Sequence, residues 1–108
     1  MAWLFVIVAG LFEIGFAIML KMSHGFTRLV PSILFVVCAA ISFALLDRSL
    51  KTLPVGTAYA VWTGIGAAGT ATIGMLFMHD PATVIRIASI FLIVAGVVGL
   101  NLAGTAAH

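Results

Sequence analysis

One carboxylate in this sequence stands where a charge is expensive. Glu13 lies inside "AGLFEIGFAIMLK", in an apolar stretch running from about residue 2 to residue 20. If that stretch crosses a bilayer, Glu13 is ~3 Å from its midpoint at ~1.5 Å rise per residue. A charge there costs at least ~2.5 kcal/mol, and such a residue is a functional candidate by default. No Lys or Arg lies at matching depth to neutralise it. The plainer alternative is a protonated glutamate hydrogen-bonded in a core. The helical face around Glu13 carries Val6, Ala9, Gly10, Phe16, Ala17 and Leu20. Small residues such as Gly10 leave room for a ligand beside the carboxyl, and Phe16 offers a ring face one turn on.

A second stretch, "YAVWTGIGAAGTATIG", puts Tyr59, Trp62, Thr63, Gly66 and Thr70 on one helical stripe. Ser42 is the best-placed hydroxyl between the two stretches. A carboxylate flanked by aromatic rings suits an organic cation, through charge and through cation–π attraction. Trp and Tyr also mark membrane interfaces, so Tyr59 and Trp62 gain meaning only by sharing a depth with Glu13. A second Glu13 from a partner chain would titrate with the first as a coupled pair near working pH. A cation then enters only as protons leave, which is proton–cation antiport if the site faces each side of the membrane in turn.

Gly64, Gly66 and Gly69 also spell G-x-G-x-x-G, the spacing of a dinucleotide-binding turn. That turn needs a preceding strand, a following helix and an acid about 20 residues on. The corresponding region holds Arg86 and Ser89 and no acid. Free N–H groups in a lipid-exposed loop are not tolerated, so the nucleotide reading fails. Gly64 and Gly66 are better read as a hinge, with close helix packing as the simpler alternative.

The elements that must position these residues follow from composition. The chain has 108 residues, 64% of them hydrophobic and 7% charged, with a mean hydropathy of +1.33. A soluble domain carries about 25% charged residues, so most of this chain faces lipid. Apart from Glu13, the charges fall in "KMSHGFTR", "DRSLKTLP" and "HDPATVIR", separating apolar spans of about 2–20, 29–46, 55–78 and 83–103. Each is near the ~20 residues a helix needs to cross a membrane. Period-2 alternation is absent, which argues against a barrel. The expectation is one all-α, four-helix transmembrane domain over residues 1–108.

No basic residue precedes Lys21, so the N-terminal stretch does not read as a signal peptide. Cys38 is the only cysteine and reads as a small packing residue. His24, His79 and His108 share no metal-ligand spacing, and no cofactor or metal is expected. Lys and Arg in the loops divide as Arg48 and Lys51 on one side against Lys21, Arg28 and Arg86 on the other. So slight a bias leaves orientation to an unseen feature, or lets the chain insert both ways and pair antiparallel. On the fourth span Ser89 and Gly96, beside Ala95 and Gly99, form a small-residue stripe that fits a helix–helix contact in lipid.

The quoted stretches, with "GFTRLVPS" and "LPVGTAYAVWTGIGA", resemble the small multidrug resistance family over essentially the whole chain. The resemblance implies an antiparallel, dual-topology homodimer in the bacterial inner membrane. It implies that paired Glu13 residues exchange protons for organic cations. It assigns Tyr59, Trp62 and Ser42 to the walls of the site and to hydrogen bonds with the carboxylate, and Gly64 and Gly66 to a kink in the third helix. The third-span motif is similar to the guanidinium-exporter branch, which usually has tryptophan in place of Phe16 and lysine in place of Asn101. The ending "GLNLAG" looks more like the drug-exporting branch. Guanidinium export is therefore the first expectation, and promiscuous export of quaternary ammonium and other hydrophobic cations the alternative.

Other classes fit less well. A rotary proteolipid subunit would be a two-helix hairpin, and an assembly subunit would not explain Glu13. One half of an obligate heterodimer stays open as an alternative, although the strong charge bias that would suggest it is absent. No nucleophile–base pair suggests an enzyme, and no exposed basic patch invites nucleic acid.

Overall fold

The computed structural model describes residues 2–106; His108 lies outside them. Four α-helices follow one another: α1 (Ala2–Met22), α2 (Leu29–Ser49), α3 (Val55–Phe77) and α4 (Val84–Ala106). Each is long and apolar enough to cross a membrane. The first two run past the apolar spans, because charges end a hydrophobic stretch without ending a helix. Lys21 and Arg48 occupy the last turns of α1 and α2, where the helix dipole favours a cation.

The helices form a layer rather than a closed bundle. In space α1 lies between α2 and α3, and the backbone of α4 approaches α3 alone among the described helices. The backbone measures 47 × 34 × 16 Å. A helix with its side chains is ~10–12 Å across, so the thinnest dimension leaves no enclosed lumen. A buried apolar cluster joins Val6 and Ala9 of α1, Leu53 of the second loop, and Ala58, Val61 and Trp62 of α3. Beyond that knot, Leu4, Val36, Phe91 and Leu92 are among the large apolar side chains left exposed, as expected where lipid is the solvent.

The loops are tight. Ser23 is fully buried; its hydroxyl donates to the Leu20 carbonyl at 2.7 Å and accepts the Phe26 amide at 3.1 Å. That clamp holds His24, Gly25 and Phe26 at positive φ, a region only Gly25 occupies without steric cost. The second loop ends at Pro54, whose carbonyl accepts the Ala58 amide at 3.0 Å and opens α3. At the far end of α3 the Gly74 carbonyl accepts amides from both Met78 and Asp80, with His79 left-handed between them.

Candidate functional site

A hydrogen-bond chain ties three helices together beside Glu13. The Trp62 indole Nε1–H donates to Ser42 Oγ at 2.9 Å, and the Ser42 hydroxyl donates to the Ala9 carbonyl at 2.7 Å. In an α-helix that carbonyl also accepts the amide of Glu13, four residues on. Ser42 is fully buried and Trp62 is 6% exposed, so a broken link would strand polar groups in apolar surroundings. The resemblance assigns Tyr59, Trp62 and Ser42 to the site walls and to hydrogen bonds with the Glu13 carboxylate. Within the chain the Trp62 and Ser42 donors go to Ser42 and Ala9 instead.

Glu13 is half-buried on the α1 face toward α3. Its Oε1 is buried and has no hydrogen-bond partner among the described residues. The carboxylate lies against Gly66, so closely that a Cβ at that position would collide with Oε1, Cδ and Cγ. Gly66 therefore gives the carboxyl the space of a missing side chain.

The other glycines each meet a different neighbour, because successive motif positions point around the helix. A Cβ on Gly64 would meet Val97 Cγ2 of α4 at 2.7 Å, and one on Gly69 would run into Ile14 of α1. The α-helical pattern of α3 is unbroken across all three. Gly10, expected to open space for a ligand, sits at a helix crossing. A Cβ there would meet Ile65 Cβ and Cγ2 at 2.8 Å, so Ile65 fills that space.

Aromatic rings extend from the hydrogen-bond chain. Tyr59 lies 5.6 Å from Trp62, Phe43 lies 5.4 Å from Trp62, and Phe16 lies 6.1 Å from Phe43. Phe16 also meets Phe35 edge-on at 5.7 Å. Tyr59 is 57% exposed, so its ring and hydroxyl are accessible while Trp62 is fixed in the wall. Phe43 and Phe35 were missed from sequence. Phe43 links the Trp62 and Phe16 rings, and its one readable signal was adjacency to Ser42.

Ser89 and Gly96, the expected dimer contacts, are exposed on α4. The Ser89 hydroxyl donates to its own helix at Ile85, and a Cβ on Gly96 would meet nothing within 4 Å. Asn101 lines a cavity of about 260 Å³ with Trp3, Ile7, Val61, Val97 and Val98, near the N-terminal end of α1.

Fold and site together define a class first: a small multi-pass membrane protein whose mid-span carboxylate, with one buried oxygen unpartnered among the described residues, lies beside an aromatic wall. The chain belongs to the Small Multidrug Resistance family, whose model matches residues 1–93. It is 54% identical over 103 residues to a protein of Yersinia pseudotuberculosis named guanidinium exporter, covering 95% of this chain and 99% of the relative. Proteins of the same name from Salmonella typhimurium and Citrobacter freundii are each 52% identical over 102 residues, covering 94% of this chain and 97% of the relative.

Proposed function

We propose that the protein is a secondary transporter, not an enzyme, that exports guanidinium-type cations across the bacterial inner membrane in exchange for protons. It works as an antiparallel homodimer. The observation that carries this reading is the Glu13 carboxylate, half-buried at mid-span with Oε1 unpaired and facing Gly66. Relatives named guanidinium exporter at 52–54% identity support the choice of substrate. Glu13 binds protons or cation in turn. Trp62, Ser42 and Phe16 shape the wall, Tyr59 provides an accessible ring, and Gly10 sets how closely α1 and α3 approach. Gly64 and Gly66 let α3 bend between inward and outward states, and the Ser89–Gly96 stripe of α4 meets the second copy.

A specific observation favours quaternary ammonium export as the second reading. Phe16 packs on Phe35 and Phe43 and presents only ring carbon, which suits bulky ions that lack N–H groups.

Substrate-evoked currents on a solid-supported membrane test both readings, with guanidinium, methylguanidinium, tetramethylammonium and tetrapropylammonium. We expect currents for the guanidinium ions that vanish in Glu13→Gln. Currents for the bulky ammonium ions alone would reverse the order of the two readings. Transport by Glu13→Gln equal to the parent would end the antiport mechanism. Because proton and cation compete for one carboxylate, cation affinity should fall as pH drops, by up to about tenfold per unit for each proton displaced.

A further inference from the structure

Among the described residues, Thr70 is the other side chain besides Glu13 with a buried polar atom that lacks a hydrogen-bond partner. The default for a hydroxyl inside a helix is a bond to the carbonyl four residues back. Ser32, Thr63, Thr72 and Ser89 all make it, at 2.6, 2.9, 2.7 and 2.7 Å. Thr70 does not, although Thr72 does so on the same helix two residues away. Helix geometry therefore does not prevent the bond.

The position of Thr70 gives its hydroxyl a use. Thr70 is one turn beyond Gly66, the residue against which the Glu13 carboxylate rests. Four residues at ~1.5 Å rise put it ~6 Å along the axis from Gly66. Helical side chains lean toward the N-terminus, which sets the Thr70 side chain over the turn that contains Gly66. The donors of the neighbouring hydrogen-bond chain are committed, Trp62 to Ser42 and Ser42 to Ala9. Glu13 Oε1 and Thr70 Oγ1 remain, and both can accept. A cation that satisfies both must carry N–H groups on two edges. A guanidinium group presents N–H donors on more than one edge of a planar fork, so a single ion can donate to two separate acceptors. Tetramethylammonium carries no N–H.

We propose that Thr70 is a specificity-determining residue of the cation site, whose hydroxyl accepts an N–H from a guanidinium-type substrate held on its other edge by Glu13. The proposal rests on the export reading above and names what within that site favours guanidinium over quaternary ammonium ions.

The test measures equilibrium binding of guanidinium and of tetramethylammonium to the full-length protein in liposomes. It compares the parent with Thr70→Val, Thr70→Ser and Glu13→Gln. Valine keeps the shape and deletes the hydroxyl; serine keeps the hydroxyl. We expect Thr70→Val to weaken guanidinium about five- to tenfold, the value of one net hydrogen bond, while Thr70→Ser stays within about twofold of the parent. Tetramethylammonium affinity should not fall. Unchanged guanidinium affinity in Thr70→Val overturns the proposal. So does an equal loss for both cations, or a serine variant as weak as the valine one, since either marks a packing role. If Thr70→Val does not fold, Thr70→Ala replaces it with the same expectations. A parent that binds no guanidinium defeats the export reading itself, which separates that failure from the failure of Thr70.

Discussion

The seam between α1 and α3 and the outer face of α4 are built from similar small residues, yet their surroundings are opposite. On the seam, the space beside Gly10 is filled by Ile65, beside Gly66 by Glu13, and beside Gly69 by Ile14. On α4, a Cβ added at Gly96 or Gly99 would meet nothing within 4 Å. In a membrane, small residues let helix backbones approach, but they do not say which helix approaches. Within one protomer α3 has neighbours on both sides, α1 and α4. The backbone of α4 approaches α3 alone. The seam can therefore hold a geometry, including the position of the Glu13 carboxylate, by contacts internal to the chain.

Substitutions should separate the two regions sharply. The largest effect on stability is expected for Gly10→Ala. The clash is with the Cβ and Cγ2 of Ile65, close to the α3 backbone, where a side chain cannot swing away. Overpacking of this kind costs ~1–3 kcal/mol, readable as a lower melting temperature in detergent. Ser42→Ala should come next, because it strands the buried Trp62 N–H, at ~1–3 kcal/mol. Near-ultraviolet circular dichroism of the tryptophans would change with it. An unaffected melting curve for both would mean that the seam does not hold the fold.

Gly66→Ala should divide function from folding. The added methyl meets the flexible end of Glu13, which can turn aside, so the fold survives and the carboxylate is displaced. We expect transport to fall at least about tenfold, ~1.4 kcal/mol of lost binding or coupling, with little change in melting. Transport at the parent rate would show that the Glu13 position against Gly66 is incidental.

On α4 the expected effects on the protomer are smallest. Gly99→Ala should change its stability by less than ~0.5 kcal/mol, in the range of surface substitutions. Gly96→Leu should also leave the protomer folded while weakening self-association, measured by cross-linking in liposomes at graded protein-to-lipid ratios. A dimer as tight as the parent's would remove the Ser89–Gly96 stripe from the contact and leave α4 facing lipid.

How much of this was legible in the sequence depended on the range of the physics involved. The four helices were readable because an apolar run of ~20 residues bounded by charges is a local property of the chain. The depth of Glu13 followed from the same count. Where α1 and α2 end was less readable, since Lys21, Asp47 and Arg48 mark the edge of the apolar span and are still helical. Phe43 was passed over because adjacency to Ser42 is all that marks it in the sequence; its part depends on rings contributed by α1 and α3. The open space expected beside Gly10 was closed by Ile65, a residue 55 positions away in the chain.

The sequence by itself determined that this protein is a four-helix membrane chain with a carboxylate at mid-span, because hydropathy and charge are summed residue by residue along a segment. Only the tertiary structure decided that the indole of Trp62 donates to Ser42 and not to Glu13, and that Gly66 makes room for the carboxylate. It also decided that Thr70 keeps its hydroxyl unspent. Those outcomes depend on how helices α1, α2 and α3 are rotated and shifted against one another. A turn of a helix by one residue, 100°, exchanges every such neighbour without altering the hydropathy of the span.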